Sequence, residues 1–187
     1  MLPIVQAPSP VLSAKAKKIN KVDSKTKNLI KEMTITLENT TNPEGVGLAA
    51  PQIGQAIQLF IIKESPASPL YVFINPQILS FSEEKLPLMD GKKTTKNRKG
   101  VKLEGCLSLK DIWGVVHRAS SIELAYLDEK GTRLVKSFDG FLATIIQHEC
   151  DHLAGILFPK RVLEQKEKLY KATTDEHGEM IFEELAI

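Results

Sequence analysis

The opening stretch has no hydrophobic period. Three prolines fall within the first twenty residues, ahead of SAKAKKI, which predicts an extended arm lying on the body of the protein. From Ser24 to about Thr40, Leu29, Ile30, Met33 and Leu37 recur at helical spacing, with Asp23 or Ser24 placed to cap the start. Asn42-Pro43-Glu44-Gly45 stops that helix. The next run, GVGLAAPQIG from Gly45 to Gly54, is too glycine-rich for a regular element and too apolar for a solvated loop, so a buried or half-buried loop is expected. Four segments rich in β-branched and aromatic residues then read as strands: Ile57–Lys63, Tyr71–Leu79, Ile122–Leu127 and Arg133–Phe138. Asp128-Glu129-Lys130-Gly131 is the hairpin turn between the last two. The stretch from Phe81 to Gly100 carries five basic residues between Lys92 and Lys99 and reads as a solvated loop. Helical spacing returns from Asp139 to about Ala154 (Leu142, Ile145, Ile146, Leu153), with Gly155 at its end. A short helix around Leu163–Tyr170 and a closing strand Met180–Leu185 complete the pattern. Neither a repeat nor a linker divides residues 1–187, which read as one mixed α and β domain.

Composition narrows the class. The chain has 187 residues, 42% apolar and 26% charged, ordinary for one globular domain. With 25 Lys plus Arg against 23 Asp plus Glu, the net charge of +2 gives no reason to expect nucleic-acid recognition or a membrane anchor. No apolar run is long enough for a membrane helix, and the N-terminus lacks the pattern of a signal peptide. Cys106 and Cys150 are the only cysteines, which suits a reducing, cytoplasmic setting.

The chemistry concentrates in three places. In QHECDHLAG (Gln147–Gly155), His148 and His152 stand four apart, so on a helix they lie on one face, a turn apart, where two imidazoles can share one metal ion. Glu149 beside them can act on a water at that ion. Two histidines leave the ion short of ligands. His177, Glu164 and Glu167 are downstream candidates, as in zincin-type sites. Cys106, in EGCLSL (Glu104–Leu109), is the stronger one, because a thiolate and two imidazoles leave a fourth position open. In the Gly45–Gly54 run, Gln52 is an amide in apolar surroundings, able to brace the backbone or to donate to a developing oxyanion. The glycines would let another backbone come close. Glu104 and Arg118 could pair to steady the Cys106 loop.

GVGLAAPQIG, EGCLSL and QHECDHLAG, in that order, resemble the three signature motifs of the peptide deformylases, and the similarity extends over most of residues 3–160. The resemblance implies an α+β fold with mixed or antiparallel β-sheets wrapped around a central metal-binding helix. It implies a metal held by Cys106, His148 and His152, with Fe(II) the usual ion and Zn, Ni or Co able to replace it. It assigns general acid/base work to Glu149 and oxyanion binding to Gln52 and the Leu107 N–H, and lays Gly47 against the substrate backbone. The implied reaction removes the formyl group from formyl-Met nascent peptides and releases formate. Val46, Ile145 and the wall near Trp113 are our candidates for the apolar slot that takes the methionine. Transient ribosome association is a further expectation. The basic C-terminal helix that serves it in some members is not transferred, because residues 164–187 carry three Lys against seven Asp plus Glu. Cys150 within the HExxH pattern and Lys110, where many members have proline, depart from the family. A zincin-like metallopeptidase and a non-catalytic binding protein on the same scaffold are the alternatives.

Overall fold

In the computed structural model the described residues are 1–41, 44–87, 103–175 and 180–186. Asn42-Pro43, the Lys92–Lys99 run and His177 therefore lie outside them. The first helix, α1 (Ser24–Glu38), starts where Asp23 Oδ1 accepts the Thr26 N–H at 2.9 Å, satisfying one of the free donors of the first turn. The described strands are β1 (Gly47–Ala49), β2 (Leu59–Ile62), β3 (Tyr71–Phe81), β4 (Lys85–Pro87), β5 (Glu104–Cys106), β6 (Leu109–Gly114), β7 (His117–Ala119), β8 (Ser121–Leu127), β9 (Arg133–Asp139), β10 (Leu169–Thr174) and β11 (Met180–Glu184). Helix α2 (Gly140–Leu153) follows β9, and α3 (Phe158–Glu164) precedes β10.

These strands form three antiparallel sheets, ordered β1-β2-β3-β8-β9, β11-β10-β6-β5 and β4-β7. In the largest, alternate residues of β2 serve two cores, which is why the LFII run is buried throughout. Leu59 and Ile61, with Val72 and Ile74 of β3, pack with Ile30, Met33 and Leu37 of α1. Phe60 and Ile62, with Phe73 and the β8 residues Leu124 and Tyr126, pack with Ala143, Ile145 and Ile146 of α2. The expected arrangement of sheets around the motif helix is the one observed. Gly155 ends α2 at φ +74°, and a Cβ there would sit 2.5 Å from the Ser13 carbonyl oxygen, so both its conformation and its neighbour require glycine.

Three expectations need correction. The short helix comes earlier, at Phe158–Glu164, which keeps Leu163, while Leu169 and Tyr170 belong to a strand paired to β6. Gly47–Ala49 is a strand paired with Phe60–Ile62, because both faces of this short glycine-rich run are covered. Lys85–Pro87, expected in a loop, pairs with His117–Ala119.

The N-terminal arm docks as expected. Asn75 holds it by accepting the Ile19 N–H (2.8 Å) and donating to the Ile19 carbonyl (2.7 Å). Closer to its start, the Val5 N–H donates to the Gln52 carbonyl (2.8 Å) and the Ala7 N–H to the Ser108 carbonyl (2.9 Å). The arm thus ties together the two turns that carry Gln52 and Cys106.

Candidate metal centre

Helix α2 runs between the sheets with its motif residues facing β5 and β1. The ligand atoms of Cys106, His148 and His152 all lie within 4.8 Å of one another, with Cys106 Sγ 3.1 Å from His152 Nε2. Cys106 is 8% exposed and His152 1%, while 12% of the His148 side chain reaches solvent. Both cysteines are free thiols, so the sulfur of Cys106 is available. A soft sulfur and two imidazoles converging from a strand and one helical turn fit a first-row divalent ion such as Fe, Zn, Ni or Co better than Mg or Ca. The two downstream ligand candidates among the described residues are engaged elsewhere: Glu167 pairs with His117 at 2.9 Å and Glu164 with Arg161 at 3.0 Å.

A buried ionic chain stands behind the cluster. Glu104 Oε1 lies 2.6 Å from His148 Nδ1, which leaves the Nε2 side of that ring free to face an ion. Arg118 donates to both oxygens of Glu104, at 2.7 and 2.8 Å, as the sequence pairing anticipated. The chain continues through Asp151, which accepts from Arg118 at 3.1 Å and from Arg161 at 2.7 Å. Burial alone would raise the Glu104 carboxyl, but the Arg118 guanidinium and the His148 ring hold it well below the ordinary carboxylate range. Burial likewise works against a charged His148, and the Glu104 carboxylate overrides it, raising that ring. His152 shifts the other way, lowered by burial and by the neighbouring His148.

Glu149 occupies a different environment. It is 3% exposed and its Oε2 has no hydrogen-bond partner among the described residues. Burial pushes its carboxyl up to about 7, which suits a group that must both take and return a proton near neutrality. Gly47 lies directly against it: a Cβ on that glycine would be 2.4 Å from Glu149 Oε1 and 2.9 Å from Ile145 Cγ2.

Gln52, 1% exposed, uses its two ends differently. Its Oε1 accepts the Ala49 N–H at 2.8 Å, and its Nε2 lies 3.5 Å from Cys106 Sγ. The anchored carbonyl therefore aims the NH2 at the cluster. Leu107 follows Cys106 in the turn, where its carbonyl accepts from Gln6 Nε2 at 2.9 Å. Val46 is half-buried beside the α2 core, and Ile145 is buried within it. Cys150 packs against that core; burial, with Asp151 and Glu149 nearby, pushes its thiol up and keeps it inert.

The sequence reading missed three contributors. Gln147, 7% exposed, accepts the Ala119 N–H (3.1 Å) and donates to the Ala119 carbonyl (2.9 Å), standing in for a strand partner and fixing α2 against β7. Asp151 and Arg161 extend the ionic chain. Gln147 and Asp151 each directly precede a motif histidine on the buried face of α2, and that placement was the available signal.

Comparisons with known proteins point to one family. The family description "Polypeptide deformylase" matches residues 1–168. A peptide deformylase from Pseudothermotoga lettingae is 37% identical over 149 residues, 80% of this chain and 75% of that one. One from Prochlorococcus marinus (strain NATL2A) is 38% identical over 169 residues, 89% of this chain and 75% of that one. Among solved structures, the Synechococcus elongatus peptide deformylase in complex with actinonin superposes with a TM-score of 0.73 at 33% identity, covering 86% of this chain and 78% of the other. The Thermotoga maritima peptide deformylase gives 0.70 at 31% identity, covering 86% and 97%.

Proposed function

The chain belongs to the polypeptide deformylase family and is a hydrolase that removes the N-formyl group from nascent peptides; from that premise we propose that Cys106, His148 and His152 hold one divalent cation and that Glu149, Gln52 and Leu107 carry out the proton and charge transfers around it. The convergence of one sulfur and two ring nitrogens within 4.8 Å carries this reading. Fe(II) is the expected ion, with Zn, Ni and Co as substitutes that the same donors accept. When bound, the cation supplies Lewis acidity, making a water more acidic and drawing charge from the formyl oxygen.

The chain's own residues do the rest. Glu149 takes a proton from the attacking water as its oxygen bonds to the formyl carbon. The Gln52 NH2 and the Leu107 N–H donate to the carbonyl oxygen as it becomes negative, each such donor being worth about 2.7–4 kcal/mol. Glu149 then passes its proton to the departing amine nitrogen, the C–N bond breaks, and formate leaves with a free peptide N-terminus. Gly47 gives the peptide backbone room beside Glu149, while Val46 and Ile145 supply apolar surface for the methionine side chain of formyl-Met substrates. Glu104, pinned by Arg118, orients His148 and keeps its ring electron-rich.

We read residues 1–187 as one catalytic domain working in the cytoplasm, where nascent chains emerge, with transient ribosome association. No described helix is long and apolar enough to cross a membrane. The test of the site is formate release from a formyl-Met peptide by wild type and by Cys106→Ser, with metal content measured on both. Loss of metal and activity together supports the ligand set. A zincin-like peptidase would keep its metal in that variant, and a non-catalytic scaffold would release no formate in either form.

A further inference from the structure

We propose that the cleft between the N-terminal arm, β6 and the β10–β11 hairpin is a distal subsite for the substrate chain, selecting an apolar side chain about four residues beyond the formylated methionine, with Trp113 and Met180 as its specificity-determining residues. The proposal rests on the deformylase reading and adds to it a preference along the peptide.

The cleft has a volume of about 270 Å³ and has Cys106 and Leu107 in its lining, so one end borders the metal cluster. Its far wall is Ala172 and Met180. A ligand that enters at the reacting end and continues into this space must be an extension of the same peptide. The distance sets which residue arrives. From β5 through β6 and β10 to β11 is three strand spacings, roughly 14 Å. An extended peptide covers about 3.3 Å per residue, so about four residues bridge the gap.

The lining decides the chemistry. Leu107, Leu109, Ile112 and Trp113 are apolar, whereas Lys110 and Asp111 add one charge of each sign and favour neither. Trp113, expected from the sequence near the methionine slot, is instead a fixed wall of this cleft, which neither Val46 nor Ile145 lines. Its ring covers Gly105, where a Cβ would stand 2.7 Å from it, and Phe182 meets it edge-on at 5.8 Å between centroids. Met180 is 56% exposed, an unbranched thioether that can lie over side chains of different shape. Ala172 and Met180, which fall beyond residue 168 where the family match ends, belong to the C-terminal β10–β11 hairpin.

The experiment measures kcat/KM by formate release on formyl-Met-Ala and on formyl-Met followed by five alanines, with one leucine scanned through positions three to six. The expected result is a preference for leucine that peaks near position five at about tenfold over alanine, the effect of half-burying one such side chain, expressed mainly in KM. In Met180→Asp, and separately in Trp113→Ala, that leucine-to-alanine ratio falls towards one. A ratio does not depend on the folded fraction, so a less stable variant still reports. A flat scan in the wild type, or a ratio retained in both variants, overturns the subsite. Failure to release formate from formyl-Met-Ala itself overturns the deformylase reading beneath it and is distinguishable from a flat scan.

Discussion

Replacing Gly47 by alanine tests how Glu149 is positioned. The new Cβ would lie 2.4 Å from Glu149 Oε1 and 3.0 Å from its Cδ. An ordinary contact is roughly 3.5 Å, so the carboxylate must retreat by about 1 Å. Ile145 Cγ2, 2.9 Å away, limits how far the methyl can escape. With no hydrogen-bond partner on Oε2 among the described residues, packing sets the position of that side of the carboxylate. A displacement of 1 Å at a reacting group costs about 100-fold in rate, or about 2.7 kcal/mol in the barrier. Overpacking adds about 1–3 kcal/mol of destabilisation. The assay is kcat by formate release, with Tm and metal content on the same sample. Gly47→Ala should lose about two orders of magnitude in kcat, lower Tm by several degrees and keep its metal, because the atoms nearest the new methyl belong to Glu149 and Ile145 and not to the ligand residues. A kcat within threefold of wild type would refute the reasoning.

Glu149→Ala should retain the cation and lose most turnover. In the wild type, kcat/KM should fall as pH drops, because the base form is required; the limb should lie between the ordinary carboxylate value of 4.5 and about 7, since burial raises the group and a bound cation lowers it again. A profile flat down to pH 4.5 would contradict the role. Glu104→Gln should weaken metal affinity about 10- to 100-fold by removing the anion behind His148. It should also cost about 3–5 kcal/mol of stability by leaving Arg118 buried with one carboxylate fewer, and metal titration with denaturant melts would check both. Competitive inhibition by a hydroxamate, which chelates through two oxygens, is expected, and insensitivity would argue against an open coordination position.

The sequence made the catalytic elements legible where periodicity and chemistry coincided. The His148/His152 spacing needed only helix geometry, and the α2 apolar residues fixed which face turned inward. The antiparallel sheets and their wrapping of α2 followed from the family resemblance more than from strand patterns. Short strands were the hardest to see. Glu104–Cys106 and His117–Ala119 are three residues each, too brief for alternation to show, and exist because Gly114, Trp113 and the Gln147 amide supply their partners from elsewhere in the chain. The misplaced helix near Leu163–Tyr170 has a similar cause. Leu169 and Tyr170 find their partners in Gly114 and Trp113, and tertiary pairing overrode a locally helical pattern. The Glu104–Arg118 pair could be guessed from sequence, but its continuation to Asp151 and Arg161 depends on how α2 and α3 pack.

The central claim is that one sulfur and two imidazoles share a cation. X-ray absorption at the metal edge of the zinc-reconstituted protein tests it directly. The account predicts one sulfur at about 2.3 Å and two histidine nitrogens at about 2.0–2.1 Å. A shell of nitrogen and oxygen alone, with the Cys106 thiol still free to react, would contradict it.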